Sequence, residues 1–431
     1  MTAATATDGA VAGHRQGGGR AWLVWGLSAV CFGYAFFLRA SPSVMVDPLM
    51  ATFSVGAAIT GNLAALYLYV YAGLQIPIGI LLDRTGPRKL LTGGMALAAA
   101  GALTFAIADD IWVAYVGRLA IGAGCAVSFI SGLTIAAAWF PPRRFGMFSG
   151  LTMGTGMVGG FLAQGPLGGL VDNFGWRAPL VGAAAFGILL ALAIWLVVRD
   201  RPDGGRVQRT GTQSLGRALL ETVRRPQNWI LGFYGLCVSG PFLAYGLLWG
   251  VPHLMLAHGV SREVAGFSTS LMSIGFLIGG PLGGFISDRI GRRKPSLVIC
   301  GFASLALWVL MLSGFELDLG TRQVLIFLTG LFGGSMIIML AAARELSPAS
   351  IGGVVTGFVN GFFVGGGALL QPLVGFMLDL HWDGSVNTET GVPVYAIADF
   401  DSALIVLPAA CAVGSVLALF VRESYCRPVD G

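Results

Sequence analysis

Long apolar runs separated by short polar segments dominate the pattern of this 431-residue chain. Several runs reach the roughly 20 residues that a helix needs to cross the hydrocarbon core of a bilayer. Lipid offers the backbone no hydrogen bonds, so such runs predict helices. The twelve predicted spans cover residues 21–46, 58–80, 90–108, 111–138, 146–171, 177–198, 228–255, 264–286, 296–314, 322–343, 352–378 and 402–421. We therefore expect an all-α integral membrane protein with twelve transmembrane helices.

One long polar segment, rich in Arg and Gly, interrupts the middle of this pattern and predicts a linker between two bundles of six helices. Its stretch from Leu215 to Val223 predicts a short amphipathic helix on the membrane surface. The expected organisation is a disordered tail (1–20), an N-terminal bundle (21–198), a linker (199–227), a C-terminal bundle (228–422) and a second tail (423–431).

Two copies of one charged string follow the second and the eighth span, about 205 positions apart. They are Gly79-x-x-x-Asp83-Arg84-x-Gly86-x-Arg88-Lys89 and Gly284-x-x-x-Asp288-Arg289-x-Gly291-x-Arg293-Lys294. The fifth and eleventh spans also align, pairing Gln164 with Gln371 and Asp172 with Asp379. Repeated halves around a site at the membrane midplane are typical of secondary transporters that work by alternating access.

Composition and charge agree with a membrane location. The chain is 55% hydrophobic and 11% charged, whereas soluble domains carry roughly 25% charge. The net charge of +5 does not indicate nucleic-acid binding, because most of the 26 Lys and Arg fall on one side when both termini are cytoplasmic. We expect a multi-pass, monomeric protein of the cytoplasmic (inner) membrane with both termini inside.

Enzymatic chemistry has no recognisable signature in the sequence. Five of the six cysteines fall within spans, where a thiol behaves as a small hydrophobic group. Neither a metal-ligand spacing, nor a nucleophile with a base, nor a phosphate-binding Gly-Lys-Ser loop is present. We expect no enzyme activity, no cofactor and no metal.

The paired strings resemble the cytoplasmic loop motif of the major facilitator superfamily. Arg118-x-x-x-Gly122-x-Gly124 is similar to that superfamily's fourth-helix motif. Gly165-Pro166-Leu167-Gly168-Gly169 is close to the fifth-helix motif of its antiporters, one residue short of the usual spacing. The resemblance covers essentially residues 21–422 and implies two pseudo-symmetric six-helix bundles.

The paired strings predict a gate at the cytoplasmic ends of the second and eighth spans. A carboxylate there can pair with a nearby Arg or with the N-terminus of a facing helix, closing the gate in one state only. The first glycine of each string (Gly79 or Gly284) would allow a facing helix to approach closely, and the second (Gly86 or Gly291) would form the turn. The alternative is that the basic residues of the strings only set the membrane topology. In the resembled superfamily, the fourth-helix Arg is linked to coupling or to packing. The gating and coupling candidates are Gly79, Asp83, Arg84, Gly86, Arg88, Arg118, Gly284, Asp288, Arg289, Gly291 and Arg293.

Arg39 is the leading substrate-binding candidate, because an Arg in hydrocarbon costs several kcal/mol and normally faces a cavity or partner. Its surroundings, from Gly33 to Pro48, resemble the first helix of organophosphate and organic-anion carriers, which implies that it binds a substrate anion. Those phosphate carriers have a second Arg where this chain has Ala244, which favours a carboxylate. The alternative is snorkelling to the outer interface beside Asp47.

Polar and aromatic residues at helical spacing extend this candidate site, with interhelical packing as the alternative. The full set is Arg39, Tyr67, Tyr71, Gln164, Tyr245, Trp249, His253, Asn360 and Gln371. His253 is the candidate for proton coupling, because its ordinary pKa is near neutrality; exchange and facilitated diffusion stay open. We expect a carrier of a small anionic or zwitterionic metabolite. The alternatives are a drug or metabolite exporter, a dipeptide or amino-acid carrier, and a non-transporting receptor.

Overall fold

The computed structural model describes residues 18–200, 215–388 and 391–427. Within these ranges the backbone is helical apart from turns, loops and one isolated bridge between Val386 and Pro393. Eleven helical segments are long and apolar enough to cross a membrane. The remaining predicted span is also helical, but it is broken between Leu162 and Gly165. The predicted all-α, twelve-span fold is therefore confirmed.

We number the spans 1 to 12 in chain order. Spans 1 to 6 are Gly19–Val44, Ala57–Thr85, Pro87–Ala106, Ile111–Trp139, Phe145–Leu162 with Gly165–Phe174, and Arg177–Val197. Spans 7 to 12 are Pro226–His258, Arg262–Ile290, Lys294–Met311, Leu319–Glu345, Gly352–His381 and Ile397–Leu419.

Local sequence fixes many of the helix ends. Gly86 and Gly291 end spans 2 and 8 with φ of 79° and 72°, a backbone region that favours glycine. The side chains of Asp110 and Asp318 cap spans 4 and 10 by accepting hydrogen bonds from backbone N–H groups two and three residues later. Span 7 departs from the prediction of a regular helix, because Gly235–Ser239 and Phe242–Trp249 are wound as π-helix.

Only part of the predicted linker lies within the described residues. Residues 201–214, like 1–17, 389–390 and 428–431, lie outside the described residues, so the disordered tails and the domain boundaries stay predictions. The predicted amphipathic helix is present as Leu215–Arg224. We call the side that carries this helix and the hairpins after spans 2 and 8 the linker face, and the opposite side the far face.

The two halves touch near the far face through spans 2 and 11 and through spans 5 and 8. Small residues permit the approach. A Cβ atom added to Gly61 of span 2 would lie 2.7 Å from the carbonyl oxygen of Gln371. On the other side of the pseudo-twofold axis, a Cβ atom added to Gly266 of span 8 would lie 2.6 Å from the backbone of Gln164. Backbone contact of this kind closes the molecule at the far face.

The halves separate toward the linker face. Contact between spans 2 and 11 continues as far as Leu68 and Gly367. Beyond that level, a Cβ atom added to Gly73, Gly361 or Gly365 would have no neighbour within 4 Å. At these glycines, close contact between spans 2 and 11 is therefore seen only toward the far face.

Candidate functional site

Arg39 lies in an aromatic cage between spans 1 and 2. Its guanidinium carbon is 4.5 Å from the ring centre of Phe36, 5.1 Å from that of Tyr67 and 4.5 Å from that of Tyr71. The two tyrosine rings stack on each other at 5.9 Å. Asp47, the predicted snorkelling partner, instead faces Arg262 at 3.7 Å. The residue is 7% exposed, so the cage rather than a membrane surface surrounds this cation.

Two of the guanidinium nitrogens of Arg39, Nε and Nη2, are buried without a well-aligned acceptor among the described residues, although the hydroxyls of Tyr67 and Tyr71 interact with the guanidinium. Buried polar groups in proteins are almost always hydrogen-bonded, so each exception calls for a specific explanation. Tyr67 and Tyr71 of the cage flank Leu68, the residue of span 2 that contacts Gly367 of span 11. The free donors of Arg39 are therefore buried beside the contact between the two halves.

Arg118 of span 4 is fully buried and is bonded to backbone carbonyls. Its nitrogens donate to Leu38 O at 2.9 Å, Ala64 O at 3.1 Å and Leu63 O at 3.4 Å. These carbonyls belong to the residue before Arg39 and to the turn before Tyr67. Arg118 thus fixes the two helices that form the cage, while its coupling role stays a prediction.

The two repeat-related glutamines both donate to the π-helical part of span 7. The amide nitrogen of Gln371 bonds to Leu243 O at 2.9 Å, and that of Gln164 bonds to Gly246 O across the two halves. The indole nitrogen of Trp249 donates to Gln371 O at 2.8 Å. The structure therefore brings these three predicted residues together, at the contact between the halves rather than in the cage.

Tyr245 and His253 are fully buried within the C-terminal half. The Tyr245 hydroxyl lies 2.9 Å from His253 Nδ1, and both side chains are inaccessible to solvent in this conformation. Asn360 is half-buried in span 11, next to Gly361 and on the linker-face side of Gly367. Of the predicted substrate-binding set, Arg39, Tyr67 and Tyr71 thus form one cluster, and the others lie elsewhere.

In the N-terminal half, the hairpin after span 2 is held by residues outside its string. Asp200 accepts from the backbone nitrogen of Arg88 at 2.8 Å, capping span 3. The Arg88 guanidinium donates to Trp195 O and lies 4.5 Å from the centre of the Trp195 ring. Arg84 is exposed, and Gly79 has open space beside it. The side chain of Asp83 lies outside the described residues, so its gating role stays a prediction.

In the C-terminal half, Arg293 joins two carboxylates. Its guanidinium lies 2.6 Å from Asp288 and 2.7 Å from Glu345 at the end of span 10. Glu423 accepts from the backbone nitrogens of Arg293 and Lys294, capping span 9 as Asp200 caps span 3.

The other members of this hairpin have looser surroundings. Arg289 is exposed, and a Cβ atom added to Gly284 would meet only Ile337, at 3.8 Å. Asp288 is therefore bonded within its own half, to a nearby arginine as the sequence allows, and its gating role stays a prediction.

The far face carries contacts between the halves that sequence reasoning did not assign. Asp379, at the end of span 11, accepts from the backbone nitrogens of Ala57 and Ala58 at 3.0 and 2.9 Å, which caps span 2. The Tyr395 hydroxyl donates to the same carboxylate. Burial, and then this hydrogen bond, raise the pKa of Tyr395 above its ordinary value, so its hydroxyl stays a donor.

Asp172, the repeat partner of Asp379, joins spans 5 and 8. It accepts from Arg262 Nε at 2.8 Å, and the same guanidinium donates to Val44 O at 3.0 Å. The only sequence signal for these contacts was the alignment of Asp172 with Asp379. We call the contacts of Asp379 and Asp172 the far-face latch.

Family membership follows from a match over nearly the whole chain. The profile of the Major Facilitator Superfamily matches residues 26–249 and again residues 241–428. The chain belongs to the Major Facilitator Superfamily. The first match covers spans 1 to 6 and most of span 7, and the second runs from within span 7 through span 12.

Individual relatives are more distant. Membrane sensor protein UhpC of Salmonella typhimurium is 25% identical, over 90% of this chain and 92% of that protein. The oxalate:formate antiporter of Oxalobacter formigenes is 28% identical, over 67% and 68%. The crystal structure of a bacterial homologue of the human lysosomal transporter Spinster, inward-facing and unoccupied, matches with a TM-score of 0.70 at 20% identity, over 95% and 96%. The protein is thus a multi-pass membrane transporter of small solutes with the superfamily fold.

Proposed function

We propose that the protein transports small organic carboxylates, with Arg39 as the group that binds the anion. The observation that carries this proposal is the cage: a permanent cation, 7% exposed, with two buried donor nitrogens that have no well-aligned acceptor among the described residues. A substrate carboxylate supplies the missing acceptors and the missing negative charge together. Its two oxygens match the planar fork of a guanidinium.

The surrounding charges favour one carboxylate at this position. Arg118 is the nearest further cation, and its nitrogens already donate to three carbonyls. Position 244, where a second cation would suit a phosphate, is a buried alanine. Phe36 and Tyr71 form the walls beside the guanidinium. The Arg39 site therefore holds a single carboxylate group of a small acid.

The orientation of the molecule follows from its charges. The linker face bears Arg84, Arg88, Arg289, Arg293 and Lys294, and such an excess of basic residues marks the cytoplasmic side. We place that face in the cytoplasm, with both termini there and the protein a monomer in the inner membrane. The conformation described here is then open to the cytoplasm.

The names of two relatives bear on whether the protein transports its ligand or only senses it. The name of the oxalate:formate antiporter supports carboxylates as substrates and exchange as a mode, whereas UhpC is named a sensor. A receptor that binds an anion without moving it is therefore the second candidate. The far-face contacts favour transport, because a contact that holds one conformation closed has a use in a protein that alternates.

The test uses purified protein in proteoliposomes and a panel of formate, oxalate, sulfoacetate and glycerol 3-phosphate. We expect saturable uptake and counterflow of the carboxylates, and loss of both in Arg39→Ala. Arg177→Ala is the matched control, because Arg177 is a partly exposed arginine that bonds to Asp109 and to Ala108 O at the far face, away from the cage. Binding without flux would support the receptor. Equal uptake by wild type and Arg39→Ala would contradict the proposal.

A further inference from the structure

A second cluster of ionisable side chains lies in the C-terminal half, away from the Arg39 cage. It joins His253 of span 7, Arg322 of span 10 and Asp401 of span 12, each within about two turns of the far-face end of its span. His253 is fully buried, whereas the side chain of Asp401 is 45% exposed. The cluster therefore connects a buried imidazole to a carboxylate that is accessible at its edge.

The two ring nitrogens of His253 have different surroundings. Nδ1 lies 2.9 Å from the Tyr245 hydroxyl. Nε2 faces two groups of opposite charge, Arg322 Nη1 at 3.4 Å and Asp401 Oδ1 at 3.7 Å. A guanidinium can only donate and a carboxylate can only accept. Nε2 can therefore bond to Arg322 only without a proton, and to Asp401 only with one.

The remaining charged groups near His253 do not remove this choice. His258 follows on the same span and adds a titratable ring. On span 8, Arg262 pairs with Asp172, and Glu263 lies beside Gly169. Asp172 and Gly169 belong to span 5 in the N-terminal half. On span 12, Asp399 accepts from the backbone nitrogen of Ala396. Arg322 and Asp401 are thus the groups that compete for Nε2.

We propose that His253 is a proton-binding site, in which proton uptake transfers the Nε2 hydrogen bond from Arg322 on span 10 to Asp401 on span 12. In the neutral ring with its proton on Nδ1, Nε2 accepts from Arg322 and Nδ1 donates to the Tyr245 hydroxyl. The added proton makes Nε2 a donor, which Arg322 repels and Asp401 attracts. The ligand is a proton delivered by hydronium: one O–H bond breaks, the Nε2–H bond forms, and water leaves.

The site is in contact with the far-face latch through aromatic packing. The ring of His253 packs on Phe400 at 5.9 Å, and Phe400 packs on Tyr395 at 6.5 Å. Tyr395 is the residue whose hydroxyl bonds to Asp379. A change of partner at His253 acts on span 12 and so on the closure of the far face. The proton site stands without the proposed function, whereas its use in transport rests on it.

The first test observes the proton without any substrate. The full chain, purified and labelled with ¹⁵N-histidine, is titrated by NMR, and the spectrum of His253→Gln identifies the His253 signals. We expect the midpoint of His253 to fall by about one pH unit in Asp401→Asn and to rise by about one pH unit in Arg322→Gln. His381→Gln is the control, because His381 is exposed at the far face and its Nδ1 lies beside Met377 O; it leaves the midpoint unchanged.

Two results would overturn the site: a His253 signal that does not titrate between pH 4 and pH 9, or a midpoint that moves in the same direction or not at all in the two variants. Asp401 is partly exposed, so its variant decides the question if Arg322→Gln does not fold. The second test measures oxalate accumulation in proteoliposomes under an inward proton gradient. We expect wild type to accumulate oxalate and His253→Gln to retain counterflow but lose accumulation.

The two tests separate the two ideas. Oxalate counterflow by wild type with no response to the proton gradient would overturn coupling through His253. Absence of all carboxylate flux would contradict the proposed function, while the NMR titration would still decide the proton site.

Discussion

Replacing Asp379 by asparagine tests the far-face latch most sharply. The carboxylate accepts two backbone hydrogen bonds from the first turn of span 2, at 3.0 and 2.9 Å. Asparagine keeps the size of the side chain, but one oxygen becomes an NH₂ group that faces a backbone N–H. We expect the far face to open more often, and the linker face to close correspondingly.

The structure sets the magnitude. Hydrogen bonds to a charged group contribute about 1.5–3 kcal/mol each, and an anion at a helix N-terminus adds about 0.3–1 kcal/mol. Losing one such bond and the charge costs the closed far face about 2–4 kcal/mol. Since 1.4 kcal/mol is a factor of ten, the conformational ratio shifts by about 30- to 700-fold.

The assay measures the opening of the linker face by electron–electron resonance between two nitroxide labels. Gly146→Cys and Gly353→Cys place the labels at the linker-face ends of spans 5 and 11, where an added side chain meets open space. Cys300 and Cys426, the two partly exposed cysteines, are first replaced by alanine. Wild type should show mainly the long distance, and Asp379→Asn should add a short-distance population.

Asp383→Asn is the matched control, because Asp383 is an exposed aspartate of the far-face loop that bonds only to Ser385 among the described residues. It should give the wild-type distribution. If Asp379→Asn gave the same distribution as Asp383→Asn, the cap on span 2 would have no part in closing the far face. Tyr395→Phe, which removes one further donor to Asp379, should give a smaller shift in the same direction.

Three further predictions follow from the two halves. Arg118→Ala leaves buried carbonyls without a donor and should lower the unfolding free energy in detergent by about 3 kcal/mol; exposed Arg144→Ala should change little, and equal melting temperatures would contradict the bonding role. Asp83→Asn should slow carboxylate counterflow while leaving folded yield unchanged, and wild-type rates would argue against a gate there. Chains 1–210 and 211–431 expressed together should assemble into an active complex, and failure to assemble would count against the two-bundle division.

Local features of the fold were predictable because their causes are local. The positive φ values at Gly86 and Gly291 need only the glycine itself, and the predicted turns are present. Span boundaries follow hydropathy, so the predicted 352–378 is Gly352–His381. The break after Leu162 and the π-helical turns of span 7 were not predicted, because they accompany contacts between distant segments, such as Gln164 with Gly246.

The site was predictable only where side chains carry the signal. Arg39 with Tyr67 and Tyr71 could be found from an arginine and two tyrosines in apolar runs. Asp200, Glu345 and Glu423 were missed, because they lie far in sequence from the hairpins they hold and outside any repeated string. The contact of Asp379 was also missed, because its partners are backbone N–H groups, which no residue type in the sequence indicates.

The most direct measurement of the central claim is the carboxylate affinity of Arg39→Lys beside that of wild type, with melting temperatures as the check on folding. Lysine keeps the charge but loses the planar fork, so we expect oxalate or formate to bind about 10- to 100-fold more weakly, at an unchanged melting temperature. Arg177→Lys, at the far-face surface, should bind as wild type does. Near-normal affinity in Arg39→Lys would show that the guanidinium of Arg39 does not bind the substrate carboxylate, and would contradict the proposal that the cage is the anion-binding site.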